Sequence, residues 1–155
     1  MSGRIEARLK ELNIELPRAA APAANYVPYT TSGKLLFVAG QVPFWNGELR
    51  HVGTVGGDMS VEDGAAAARV CALNLIAQAK AACGGNLDKV GRVLKLVGFV
   101  QCTTGFKDQP KVINGASDLM VQVFGELGRH ARVAVGTNAL PLGVAVEIEG
   151  TFELL

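Results

Sequence analysis

The sequence predicts a single α+β domain in which helices cover one face of a mixed sheet, and three observations carry that reading. Short apolar and β-branched runs alternate with two long stretches of helical periodicity, in the order strand, strand, helix, strand, helix, strand, strand. The 155 residues are 49% hydrophobic and 19% charged, the balance of a folded globular chain. A chain of this length buries roughly 70% of the surface it exposes when unfolded, so one core forms without help from metal or disulfide. Fifteen Lys and Arg against fourteen Asp and Glu leave a formal charge of +1, which argues against a basic nucleic-acid footprint or an acidic tail.

Residues 3–12 place Ile5, Leu9 and Leu12 at helical spacing among charges, a short peripheral helix ended by Pro17. Pro17 to Pro28 is Pro- and Ala-rich, sustains no period and reads as an irregular lead-in. The run Leu35–Ala39, closed by Gly40, and the turn dipeptide Asn46-Gly47 predict a β-hairpin over residues 35–55. Ser60-x-x-Asp63 opens a helix as a capping box, with Val61, Ala65, Ala68, Ala72, Leu75, Ile76 and Ala79 on one face and Gly84-Gly85 as its stop. Val93–Cys102 is a β-rich run of central-strand character.

A second helix begins after Asp108, with Pro110 suited to its first turn. Its core face carries Val112, Ile113, Ala116, Leu119, Met120, Val123, Phe124 and Leu127, and Gly128 is the expected cap. The last thirty residues predict two strands, one around Arg132–Val135 and one over Val144–Leu154, joined by a Pro/Gly turn at Leu140-Pro141-Leu142-Gly143. Two helices cover one sheet face only. Leu, Val and Phe on the other face predict a subunit interface and hence a homo-oligomer.

Cys71, Cys83 and Cys102 are odd in number, widely spaced and without a C-x-x-C pair, which predicts buried, reduced thiols. His51 and His130 lack partners at ligand spacing, so no metal site is expected. Apolar runs break well short of a membrane span, and the charged N-terminus lacks a signal core, which makes a cytoplasmic location the expectation. Neither Gly-Gly pair fits a nucleotide-binding loop, no G-x-S-x-G elbow occurs, and no Ser-His or Cys-His spacing rises above chance.

Arg132 and Glu147 are the strongest candidate site residues. Antiparallel pairing about Leu140-Pro141 would place both in one sheet neighbourhood. A guanidinium fork matches a carboxylate, which makes Arg132 a candidate anchor for a small organic acid, and Glu147 a group to orient or activate water. The alternative is a structural ion pair between the two, or two side chains on a solvated face.

The stretch A-R-V-A-V-x4-L-P-x4-V-E-I-E, residues 131–149, resembles the signature of the RidA/YjgF family of reactive-intermediate deaminases, also described as L-PSP endoribonuclease-like proteins. The resemblance runs back through Asn114, the strand around Phe99, the alanine-rich helix and Gly40-Gln41-Val42-Pro43. It covers the chain from about Pro22 as one domain over residues 1–155, with residues 1–20 as an added helical extension. What it implies is a chorismate-mutase-like fold, two helices on one face of a mixed sheet, assembled as a homotrimer around a central barrel with clefts between subunits. It further implies hydrolysis of 2-imino or enamine acids to 2-keto acids and ammonia, without a cofactor or metal. The carboxylate-binding arginine falls on Arg132, its acidic partner on Glu147 and the helix asparagine on Asn114, which by itself reads as an exposed helix residue. A backbone N–H near Gly40 would assist orientation, and the cleft tyrosine fits either Tyr26 or Tyr29.

Two positions depart from the family pattern. Ala39 stands where a serine commonly precedes the Gly-Gln pair, and Ala134 where a cysteine often follows the arginine by two residues. These losses keep open a trimeric protein that binds a small carboxylate without turning it over. An RNA-cleaving role, suggested by the family's older name, finds little support in a near-neutral chain with 6% aromatic residues.

Overall fold

A computed structural model describes residues 3–155. Helix α1 (Arg4–Glu11) buries Ile5 and Leu9, as their spacing predicts. Its cap comes from far along the chain: the amides of Arg4 and Ile5 donate to the Asp88 carboxylate at 2.8 and 2.9 Å. Those bonds, from Ile5 first and Arg4 second, hold the Asp88 carboxyl below its ordinary range.

The lead-in after α1 has no regular structure before residue 29, but it is tied down. Gln78 Nε2 donates to the Ala20 carbonyl at 2.8 Å, and the Arg18 amide donates to Asn46 Oδ1 at 2.8 Å. Strands β1 (Tyr29–Ser32) and β2 (Leu35–Gln41) then form a hairpin around Gly33-Lys34, with Gly33 at φ 58°. The expected hairpin at Asn46-Gly47 also exists, with both residues at positive φ, but it joins only β3 (Phe44–Trp45) to β4 (Glu48–Leu49) outside the main sheet.

Helix α2 (Val61–Ala82) starts at Ser60, whose Oγ accepts from the Asp63 amide at 3.1 Å. It is buried on every side from Cys71 to Ala79, not on one face, because β3 and the lead-in pack on its outer side. Gly84 and Gly85, at φ 64° and 94°, turn the chain out of it. Strand β5 (Val90–Gln101) leads to helix α3 (Gln109–Phe124). All of the predicted α3 core residues are buried except Leu127, which is exposed. The helix stops at Gly125, φ 62°, and residues 125–128 form a 3₁₀ turn.

Strands β6 (Ala131–Thr137) and β7 (Val146–Leu154) complete a five-stranded sheet in the order β1-β2-β7-β5-β6. Here the expected topology is corrected. β6 pairs with β5 in parallel, and β7 inserts between β2 and β5 instead of pairing with β6. The 16-residue helix α3 between β5 and β6 returns the chain to its starting end, which makes parallel pairing the natural outcome. β7 takes the centre and alternates buried Val146, Ile148 and Phe152 with more exposed residues.

Helices α2 and α3 pack on one sheet face, where Leu36, Val38, Leu96, Val100, Ile148 and Phe152 point inward. The opposite face is uncovered and presents Leu35, Phe37, Val133 and Val135 to solvent. Among the described residues no helix is long and apolar enough to cross a membrane. Cys71 and Cys83 are buried free thiols, and burial pushes both up from their ordinary pKa range, whereas Cys102, expected to be buried too, is a free thiol only half-buried just past the end of β5.

Candidate functional site

Strand register separates the two strongest candidates. Arg132 lies opposite Leu96, which lies opposite Gly150, whereas Glu147 lies opposite Phe99. Positions 147 and 150 of one strand face opposite ways, so Arg132 is on the helix-covered side of the sheet and Glu147 on the open side. The single neighbourhood expected for the pair does not form within one protomer. Neither does the structural ion pair: among the described residues, the salt bridges involve other side chains.

Glu147 lines a cleft of about 140 Å³ bounded by Tyr26, Gly40, Phe44, Leu142 and the lead-in residues Ala20–Ala23. Gly40 sits at an irregularity in the β2–β7 pairing between Val38 and Gln41. A Cβ there would meet the Glu147 carboxylate at 3.1 Å, so the missing side chain is what admits the carboxylate. Burial, and secondarily the like charge of Glu149, raise the Glu147 pKa, which suits a group that exchanges protons.

The far rim of this cleft is positioned by Gln101. Its Nε2 donates to the carbonyls of Gly53 and Gly143, and its Oε1 accepts from the Leu140 amide at 2.8 Å. That clamp holds Pro141 and Leu142 over the cleft. Leu142 adopts φ 61°, unfavourable for a leucine, with its side chain exposed at the mouth. Tyr26 is therefore the tyrosine that lines the Glu147 cleft. Tyr29 lies with Ala39 in a neighbouring depression that also includes Phe37 and Glu149.

Arg132 belongs to a second surface. Its Nη1 donates to Ser117 Oγ at 3.0 Å and its Nη2 to the Pro110 carbonyl at 3.2 Å. Both partners are neutral, so they fix the guanidinium plane without cancelling its charge. Asn114, Ser117 and His130 line the same depression of about 240 Å³. Ala134, two residues along β6, packs against the core beneath it. Asn114 and Arg132 are thus brought together, and so are Glu147, Gly40 and Tyr26, on a different surface.

Ser117 and His130 are functional candidates that sequence reasoning passed over. His130 Nε2 lies 2.9 Å from Ser117 Oγ. A signal was present: Ser117 follows Asn114 by three positions on α3, and His130 precedes Arg132 by two along an extended chain. Those spacings place each pair on one face.

Comparison with known proteins accords with this architecture. Residues 6–149 match the family described as "YjgF/chorismate_mutase-like, putative endoribonuclease". The chain is 51% identical to Protein TCP17 of Trypanosoma cruzi over 154 residues, covering 99% of this chain and 96% of that protein. The crystal structure of Atu1372 from Agrobacterium tumefaciens, a protein of unknown function, superposes with a TM-score of 0.91 at 50% identity, over 97% of this chain and 92% of that one. The structure of a "putative endoribonuclease" from Shewanella oneidensis gives a TM-score of 0.94 at 38% identity, over 98% of this chain and all of the other. The family match runs from within α1 to Glu149 on β7 and includes both surfaces just described: the chain belongs to the YjgF/chorismate mutase-like family.

Proposed function

We propose that the protein hydrolyses reactive 2-imino or enamine acids to 2-keto acids and ammonia. The observation that carries this reading is Arg132, a guanidinium oriented by Ser117 and the Pro110 carbonyl with no carboxylate partner among the described residues. Such a group, held at an otherwise small depression, suits the carboxylate of a small organic acid. Glu147, raised in pKa by burial, suits the handling of water and its proton.

The two groups lie on different surfaces of one protomer, so their joint use calls for a cleft between neighbouring copies. A homotrimer packed through the open sheet face and along the free edge at β6, the strand that carries Arg132, would supply it. In that cleft Arg132 binds the substrate carboxylate, and Glu147 of a neighbouring copy holds a water for attack on the imine carbon. The resulting carbinolamine expels ammonia and leaves the keto acid. Free imines already hydrolyse in water, so positioning supplies much of the acceleration required. The chemistry needs no electron transfer and no cofactor.

The test generates 2-iminobutanoate and 2-iminopropanoate in situ with an amino acid oxidase and traps surviving imine with semicarbazide. Wild type is expected to reduce the trapped product and Arg132→Ala to leave it unchanged. An equal effect from both proteins, or none from either, would remove the reading.

A second reading is favoured by Ala39 and Ala134, which take two polar groups away from the expected cleft. On that reading the trimer binds a small carboxylate without turnover. Titration calorimetry with 2-ketobutanoate would then give Arg132-dependent binding while imines survive in the trapping assay.

A further inference from the structure

A chain of hydrogen bonds joins the Gly128 carbonyl, His130, Ser117 and Arg132. His130 Nδ1 lies 2.7 Å from the Gly128 carbonyl, which can only accept, so Nδ1 carries the ring proton. Nε2 lies 2.9 Å from Ser117 Oγ, and in the neutral form of the ring it accepts the serine proton. The same oxygen accepts from Arg132 Nη1 at 3.0 Å. Ser117 thus offers its proton to a base while a cation faces its lone pair. A third group, the Gly128 carbonyl, orients that base. A base in reach of the hydroxyl proton and a third group that orients the base are the two parts of an activated serine, and the cation adds stabilisation of developing alkoxide charge.

The surroundings define what such a nucleophile would meet. All three side chains border one depression in a single protomer, together with Asn114, Asp118 and Arg129. Arg129 is engaged by Glu126 at 3.1 Å, which leaves Arg132 as the cation available to an anionic ligand. Asp118 opposes accumulation of negative charge, so one carboxylate fits this depression better than a phosphate or a dianion. Asn114, one helical turn before Ser117, brings an amide able to donate to an oxyanion.

We propose that Ser117 is the nucleophile of an acyl-transfer site that accepts small esters or thioesters whose acyl group carries a carboxylate. Ser117 Oγ attacks the acyl carbon as its proton passes to His130 Nε2. The tetrahedral adduct collapses, the carbon–oxygen or carbon–sulfur bond to the leaving group breaks, and His130 returns the proton to the departing alcohol or thiol. Water, deprotonated by His130, then attacks the acyl-serine. The carboxylic acid leaves and the serine hydroxyl is restored. This chemistry does not involve Glu147, and its outcome is separable from that of the imine assay.

The experiment follows p-nitrophenolate release by the full-length protein from mono-p-nitrophenyl succinate and from p-nitrophenyl acetate, with intact-mass and peptide mapping of quenched samples. The expected result is a burst stoichiometric with chains, a succinyl adduct on Ser117, and faster acylation by the succinyl ester than by the acetyl ester. Ser117→Ala abolishes the adduct, and His130→Gln slows acylation by about 100-fold or more. Mapping wild type needs no variant, so a misfolded mutant does not blur the outcome. No adduct, an adduct mapped to a cysteine or lysine, or a burst unchanged in Ser117→Ala would overturn the assignment.

Discussion

A half-buried carboxylate without a counter-ion costs the folded state free energy whenever it is charged, and Glu147 is such a group. Because its pKa is raised on folding, the native state binds this proton more tightly than the unfolded chain. Its stabilising share is therefore present at acid pH and lost as pH rises through the raised pKa. Glu147→Gln should melt at a higher temperature than wild type near pH 7, with the difference closing below the ordinary glutamate range. A gap independent of pH would contradict the account. Gly40→Ala tests the same carboxylate sterically. The added Cβ falls 3.1 Å from the Glu147 carboxylate at a position whose φ is not positive, so the side chain gives way and not the backbone. Imine hydrolysis should fall on the order of tenfold while stability changes by less than about 1 kcal/mol. The identities of these residues were readable in the sequence, but their surroundings were not. Nothing in the text of residues 17–28 says that Ala20 to Ala23 and Tyr26 wall a cleft around Glu147.

At the scale of elements, the strands and helices were largely legible because their hydrophobic periods are clean. The pairing was not. Arg132 and Glu147 sit on strands consecutive in sequence, and short connections favour antiparallel neighbours. The central β7, inserted between β2 and β5, overrides that preference, and strand parity then sends the two side chains to opposite faces. β1 leaves no signal in the sequence, because Tyr29–Ser32 is polar and mostly exposed, a lateral edge without an alternating pattern. Two substitutions probe how elements are held. Gln101→Leu removes the clamp between residues 53–54 and 140–143 and leaves the Leu140 amide and the Gly53 carbonyl without these partners, while the Gly143 carbonyl keeps the Gly53 amide at 3.0 Å. Chemical denaturation should show a loss of about 2 kcal/mol, with the cleft rim loosened. Gly115→Ala drives a methyl group into the Ala65 carbonyl where α2 crosses α3, and should destabilise by about 3 kcal/mol or more. A melt unchanged from wild type in either variant would contradict the packing described.

The whole molecule is one-sided: two helices cover one sheet face, and Leu35, Phe37, Val133 and Val135 stand exposed on the other. That imbalance was foreseen from the helix count alone, and it is the physical ground for proposing assembly. If the proposed trimer forms through this face, Phe37→Lys with Val135→Glu should lower the mass measured by light scattering to that of a monomer and abolish the proposed imine hydrolysis, while the far-ultraviolet spectrum is retained. On the proposed reading, Arg132 and Glu147, separated within a protomer, work together between protomers. The most direct measurement mixes two inactive proteins, Arg132→Ala and Glu147→Ala, by co-expression or by refolding from denaturant. If clefts are shared, roughly a quarter of interfaces in random mixed trimers recover both residues, and imine hydrolysis returns in proportion. Mixtures as inactive as either parent, with mixed trimers present by mass spectrometry, would show that the two residues do not share a site.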